Sequence, residues 1–179
     1  MKVVFLDRDG VINKFPGDRL YVTSLREFHF LQYAKKAIAL LSKEGFKIFV
    51  VSNQAGVGKG IYSQEILDSI TDKMLNDIRQ YGGSIEKVYY CTHLKETDCS
   101  CHKPKPGMLE QAAKEFGFNL KKAYLIGDTI IDVLTAQAVS CKSILVLTGK
   151  ERLANQKGWK AKPDFIFNDL LTAAEFLVR

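Results

Sequence analysis

The sequence predicts an α/β fold, a doubly wound (Rossmann-like) parallel sheet with helices on both faces. Three observations lead there. Short, continuous apolar runs recur along the chain, as strands buried on both faces do. Between them lie segments whose apolar residues follow helical spacing, and glycines stand where several of those segments should stop. Alternation of this kind calls for right-handed crossovers, and ligands then bind beyond the carboxyl ends of the strands. Strands are expected at residues 3–6, 48–51, 88–90, 124–126 and 143–147. Helices are expected at 31–43, 63–81, 107–116 and 130–139, the first three stopped by Gly45, Gly82 and Gly117. A chain of 179 residues, 46% of them hydrophobic, suits one domain spanning 1–179 with one core.

Composition narrows the partners. No run of about 18 apolar residues occurs, and Val3-Val4-Phe5-Leu6 lacks a signal-peptide layout, so a cytoplasmic protein with no membrane partner is expected. The net charge of +6 is spread along the chain, densest from Lys103 to Lys105 and in a lysine-rich stretch from Lys150 to Lys162. That pattern fits a solvated surface with a site for a small anionic molecule, and not a nucleic-acid face. A monomer is expected.

The first strand runs straight into Asp7-Arg8-Asp9-Gly10. Carboxylates at i and i+2 point to the same side of an extended chain. Crowded together they repel unless a cation neutralises them, and an oxygen-only pair suits a hard ion such as Mg²⁺. Alone, the motif would more readily be an ordinary Asp-Gly turn. It is not alone: the second strand ends in Ser52-Asn53, Lys103 precedes the third helix, and the fourth strand ends in Gly127-Asp128, with Asp132 four residues on.

In this order, these fragments resemble the haloacid dehalogenase-like phosphatase superfamily. The resemblance implies that Asp7 attacks phosphorus, forming an aspartyl-phosphate. It implies Asp9 as the acid that protonates the leaving alkoxide and later the base that activates water. Ser52 and Lys103 would bind the phosphoryl oxygens, and Mg²⁺ would be held by Asp7, the Asp9 backbone carbonyl and Asp128.

A second grouping is Cys91-x-His93 followed by Cys99-x-Cys101. Three thiolates and one imidazole match a tetrahedral structural zinc with no open position for catalysis. Disulfides are the alternative, which a cytosolic setting disfavours and which would leave His93 without a role. Zinc would pin the long loop after the third strand and so place Lys103. Cys141 and His29 stand apart and read as ordinary structural residues. The Asn53-Gln54-Ala55-Gly56-Val57-Gly58-Lys59-Gly60 stretch lacks the frame of a nucleotide-binding P-loop and reads as a substrate loop.

Asp7-Arg8-Asp9-Gly10, the cysteine loop and Lys103-Pro104-Lys105-Pro106-Gly107-Met108 together resemble the D-glycero-D-manno-heptose 1,7-bisphosphate phosphatases, along most of the chain to Thr148-Gly149-Lys150. The related histidinol-phosphate phosphatases share the nucleophile and zinc motifs and form the alternative. The resemblance implies a small phosphorylated metabolite as the partner, and no separate cap domain is evident between the motifs. One position departs from both branches: His102 stands where arginine is usual. Asn53, His102, Arg8 and Lys59, with Asn13 and Lys14, are the residues expected to meet the rest of the substrate. A non-catalytic zinc-stabilised binding domain would give Asp7, Asp9, Ser52, Lys103 and Asp128 no reason to occur together.

Overall fold

Each apolar run forms a strand, and a sixth strand follows them. The structure, a computed structural model, describes residues 1–18 and 20–179. The elements are β1 (Lys2–Leu6), α1 (Ala34–Lys43), β2 (Phe46–Asn53), α2 (Gln64–Gln80), β3 (Lys87–Cys91), α3 (Gly107–Phe116), β4 (Ala123–Gly127), α4 (Ile130–Ala138), β5 (Lys142–Val146), β6 (Phe165–Phe167) and α5 (Leu170–Leu177). All strand pairs are parallel, in the order β3-β2-β1-β4-β5-β6.

Period-two alternation sorts each strand onto two cores. Val4, Leu6, Ile48, Val50 and Ile126 face α1, α2 and α5, packed on Ile38, Leu41, Ile70, Met74 and Ala173. Val3, Phe5, Phe49, Val51 and Leu125 face the other way, onto Met108, Leu109 and Ala112 of α3 and Ala136 of α4. Burial on both sides explains why these strands read as unbroken apolar runs.

Helix ends follow their caps. Ser63 accepts a hydrogen bond from the Ile66 amide at the start of α2, and Gly117, at φ 69°, ends α3 in the left-handed conformation that glycine adopts without strain. The expected start of α1 at residue 31 is corrected to Ala34, because Tyr33 sits at φ 67° and breaks the helical path.

The topology sets the site. The chain leaves β1 for β2 and β3 on one side, then returns to β4 on the other, so the strand order reverses between β1 and β4. In open parallel sheets the ligand crevice lies beyond the carboxyl ends at that reversal. Asp7 follows β1 and Asp128 follows β4, so both fall there. The segments 7–33 and 54–63, where a cap could have been inserted, hold no second sheet among the described residues.

Candidate active site

Asp7 extends β1 by one residue, its amide donating to the Ile126 carbonyl at 2.9 Å, which plants the carboxylate at the carboxyl end of the sheet. Its Oδ1 accepts from the Arg8 amide at 2.7 Å and lies 3.1 Å from Lys103 Nζ. Lys103, also buried, donates to Asp132 Oδ1 at 2.6 Å and to the Val51 carbonyl at 3.1 Å. Burial raises the Asp7 carboxyl to about 6 against the pull of Lys103, with Asp132 and Asp9 adding to the rise. Burial would lower the Lys103 ammonium, but Asp132 and Asp7 outweigh it and hold the lysine charged, above its ordinary value.

Asp128 is set for a cation. Its Oδ2 accepts from the Lys150 amide at 2.8 Å, while Oδ1 is buried without any partner among the described residues. A buried carboxylate oxygen without a partner is costly, and a metal ion is one remedy. Burial, then Asp7 and Asp132, push its proton affinity well above the ordinary carboxylate range. Its carboxylate is wedged against Gly10, at φ 87°, and Gly149; a Cβ at either would overlap it. Asp7, Asp128 and Asp132 present oxygens within 4.8 Å of one another. Asp132, however, is committed elsewhere: Oδ1 takes Lys103, and Oδ2 takes the Thr129 amide and hydroxyl in the capping box that starts α4. Asp7 and Asp128 are thus the carboxylates with room for a hard ion such as magnesium.

Asp9 is held by a buried frame. Arg8 donates to both of its oxygens at 3.1 Å, Asn13 Nδ2 donates to Oδ1 at 2.8 Å, and Gln54 Nε2 donates to Oδ2 at 2.8 Å. Gln54 also reaches Ser52 Oγ at 3.2 Å and accepts from Arg8 and the Tyr62 hydroxyl. The substrate contact expected of Arg8 is corrected: its side chain is fully buried, stacked over Tyr90, and it positions Asp9 from beneath. Asn13 is likewise buried under the cleft.

The cleft has a volume of about 370 Å³, and Asp7, Asp9, Ser52, Asn53, Lys103 and Asp128 line it together. Asn53 exchanges hydrogen bonds with the Lys103 backbone at 3.0 and 3.1 Å, clamping the lysine loop to β2. His102 and Lys59 do not line the cleft. His102 Nδ1 lies 3.6 Å from Cys91 Sγ, and burial, against the His93 backbone, lowers its imidazolium, so it presents no permanent cation. Lys59 sits over the Tyr21 ring, and Lys14 lines a neighbouring cavity. The frame around Asp9 escaped sequence reading because Gln54 reaches Asp9 from 45 residues along the chain, and Asn13, four residues on, turns onto Asp9 only through the tight turn whose amides close on the Arg8 carbonyl; the polar run after an apolar strand was the available signal.

The three thiols Cys91, Cys99 and Cys101 stand 3.2–3.6 Å apart, and His93 Nδ1 is 3.2 Å from Cys101 and 3.8 Å from Cys91. Zn–S bonds of about 2.3 Å in a tetrahedron give S–S edges of about 3.8 Å, so this donor set is nearly the right size for zinc. All four cysteines, Cys141 included, are free thiols. Cys141 is buried and donates to the Ala123 carbonyl.

The HAD-hydrolase-like family model matches residues 100–173. The D-glycero-β-D-manno-heptose 1,7-bisphosphate 7-phosphatase of Neisseria meningitidis is 33% identical over 100% of this chain and 96% of its own length. The chain belongs to this family of HAD-like heptose bisphosphate phosphatases. The Pseudomonas aeruginosa member is 35% identical, covering 99% of this chain and 98% of its own. The crystal structure of the Bordetella bronchiseptica D,D-heptose 1,7-bisphosphate phosphatase, complexed with magnesium and phosphate, superposes with a TM-score of 0.93 at 32% identity, covering 99% of this chain and 98% of that one.

Proposed function

We propose that the chain removes the C7 phosphate of D-glycero-D-manno-heptose 1,7-bisphosphate, leaving the heptose 1-phosphate, through phosphoryl transfer to Asp7. Family membership supports the substrate. The observation that carries the chemistry is a buried carboxylate, Asp7, 3.1 Å from a buried lysine, Lys103, in one cleft with the unpartnered Asp128 oxygen.

Asp7 attacks phosphorus as the bond to the C7 oxygen breaks, and Asp9 gives its proton to that oxygen. Asp9 then takes a proton from water as the water attacks the phosphorus of the acyl phosphate, releasing inorganic phosphate and restoring Asp7. Ser52 and Lys103 bind the non-bridging oxygens, where charge collects in the transition state. Arg8, Asn13 and Gln54 hold Asp9 in line with the leaving group and, later, the water. Magnesium, held by Asp7, Asp128 and the Asp9 carbonyl, would supply positive charge that brings the phosphate onto the nucleophile. Zinc held by Cys91, His93, Cys99 and Cys101 would be structural, fixing the loop that carries Lys103. The chain is proposed to act as a monomer in the cytoplasm, where a reducing setting suits its free thiols.

Phosphorus NMR of the reaction tests this reading. Heptose 1,7-bisphosphate should lose its C7 resonance and keep its C1 resonance, with histidinol phosphate hydrolysed far more slowly. Loss of the C1 phosphate, or a preference for histidinol phosphate, would overturn it.

A further inference from the structure

A bisphosphate brings two dianions to the cleft, and the one that does not react also loses water and needs a positive partner. Among the described residues that line the cleft, the cations are Lys103 and Lys150. Lys103 is committed to Asp7, Asp132 and the reacting phosphate. Arg8 is buried beneath the floor, and His102 is turned to the cysteine cluster. Lys150 differs from all of these. Its amide is fixed to Asp128 Oδ2 at 2.8 Å, so its backbone is anchored to the cation-ready carboxylate. Its side chain is half exposed and reaches Asp18 Oδ1 at 2.6 Å, on the loop that forms part of the cleft wall. An ion pair between two exposed groups holds weakly, and a phosphate carrying nearly two charges competes well with one carboxylate.

Resting on the proposed activity, we propose that Lys150 is the specificity-determining cation for the non-reacting phosphate, and that Asp18 occupies it until substrate displaces the carboxylate. Discrimination between a bisphosphate and a monophosphate then rests on one side chain and its internal competitor.

The test compares kcat/KM for heptose 1,7-bisphosphate and for heptose 7-phosphate, which lacks the second anion. Lys150→Gln keeps the amide that Asp128 needs and removes the charge. The bisphosphate-to-monophosphate ratio should fall by about tenfold to hundredfold, mostly through KM, as for lost charged hydrogen bonds that act equally in ground and transition states. Lys150→Arg should retain most of the ratio. Asp18→Asn should raise the ratio in the natural background and leave it unchanged beside Lys150→Gln. Equal losses on both substrates in Lys150→Gln would mean that the change acted through Asp128, and would overturn the proposal. A natural protein without preference for the bisphosphate would overturn it too. A natural protein that hydrolyses no heptose bisphosphate would sink the proposed function and this inference together, whereas an unchanged ratio in an active Lys150→Gln would sink the inference alone.

Discussion

Asp132 is where the structure makes its sharpest energetic claim. Its carboxylate has two tasks, pairing with buried Lys103 at 2.6 Å and closing the Thr129 capping box of α4. Both members of the ion pair have side chains only 3% exposed, so water cannot compensate for a missing partner. Removing one partner of such a pair costs about 3–5 kcal/mol; because Asp7 and the Val51 carbonyl still hold the lysine, the lower end, about 3 kcal/mol, applies to Asp132→Asn. Asp132→Ala should lose about 1 kcal/mol more, because the Thr129 amide and hydroxyl then lose their acceptor in the capping box. Against a typical total of about 5–15 kcal/mol, both variants should fold, with visibly lower denaturation midpoints. Turnover should fall as well, since Lys103 is freed to close on Asp7. Urea unfolding of Asp132→Asn, Lys103→Met and the double variant gives the coupling directly, which should be about 2–3 kcal/mol. A coupling below about 0.5 kcal/mol would show that the two groups act independently and would refute the reasoning.

Other consequences follow from the same geometry. Purified protein should carry one zinc per chain by elemental analysis, and Cys99→Ser should lower both stability and activity, since structural zinc sites contribute on the order of 10 kcal/mol of apparent binding energy; zinc-free protein of unchanged stability would contradict this. Asp7, raised to about 6, and Asp128, also raised above the ordinary carboxylate range, hold protons more tightly folded than unfolded, so the metal-free protein loses the Asp7 contribution to stability as pH rises from about 4 through about 6, and Asp128 adds a loss of the same sign. Magnesium should therefore raise the melting temperature clearly at about pH 7.5 and little at about pH 5, and equal shifts in scanning fluorimetry would contradict the assignment of those carboxylates. His102→Ala should change bisphosphate selectivity by less than about threefold, the scale of a substitution away from the ligand, and a larger loss would return that position to the substrate site.

The strand pattern was legible because burial on both faces leaves each strand as an unbroken apolar word, and Asp7 and Asp128 follow directly on two of those words. β6 and α5 escaped, since a three-residue strand and a short apolar helix after it carry little periodicity. Within the site, Asp7, Lys103 and the thiol cluster were readable from residue type and order as groups that meet, and the structure brings Asp7 and Lys103 together and the thiols together. Charge alone misplaced Arg8, because a guanidinium next to Asp9 reads as a substrate group until its complete burial is known. Asp132 was readable as an acid near a metal motif, but its commitment to Lys103 depends on two distant segments meeting across the sheet ends.

The central claim is that phosphorus passes through Asp7, and it is tested most directly by trapping. Acid quenching during turnover of heptose 1,7-bisphosphate, followed by borohydride reduction and peptide mass spectrometry, should find homoserine at position 7, where the acyl phosphate was reduced. Asp7→Asn should show neither that product nor released phosphate while keeping its fold. An unmodified Asp7 in rapidly quenched natural enzyme, together with near-normal turnover by Asp7→Asn, would contradict the account.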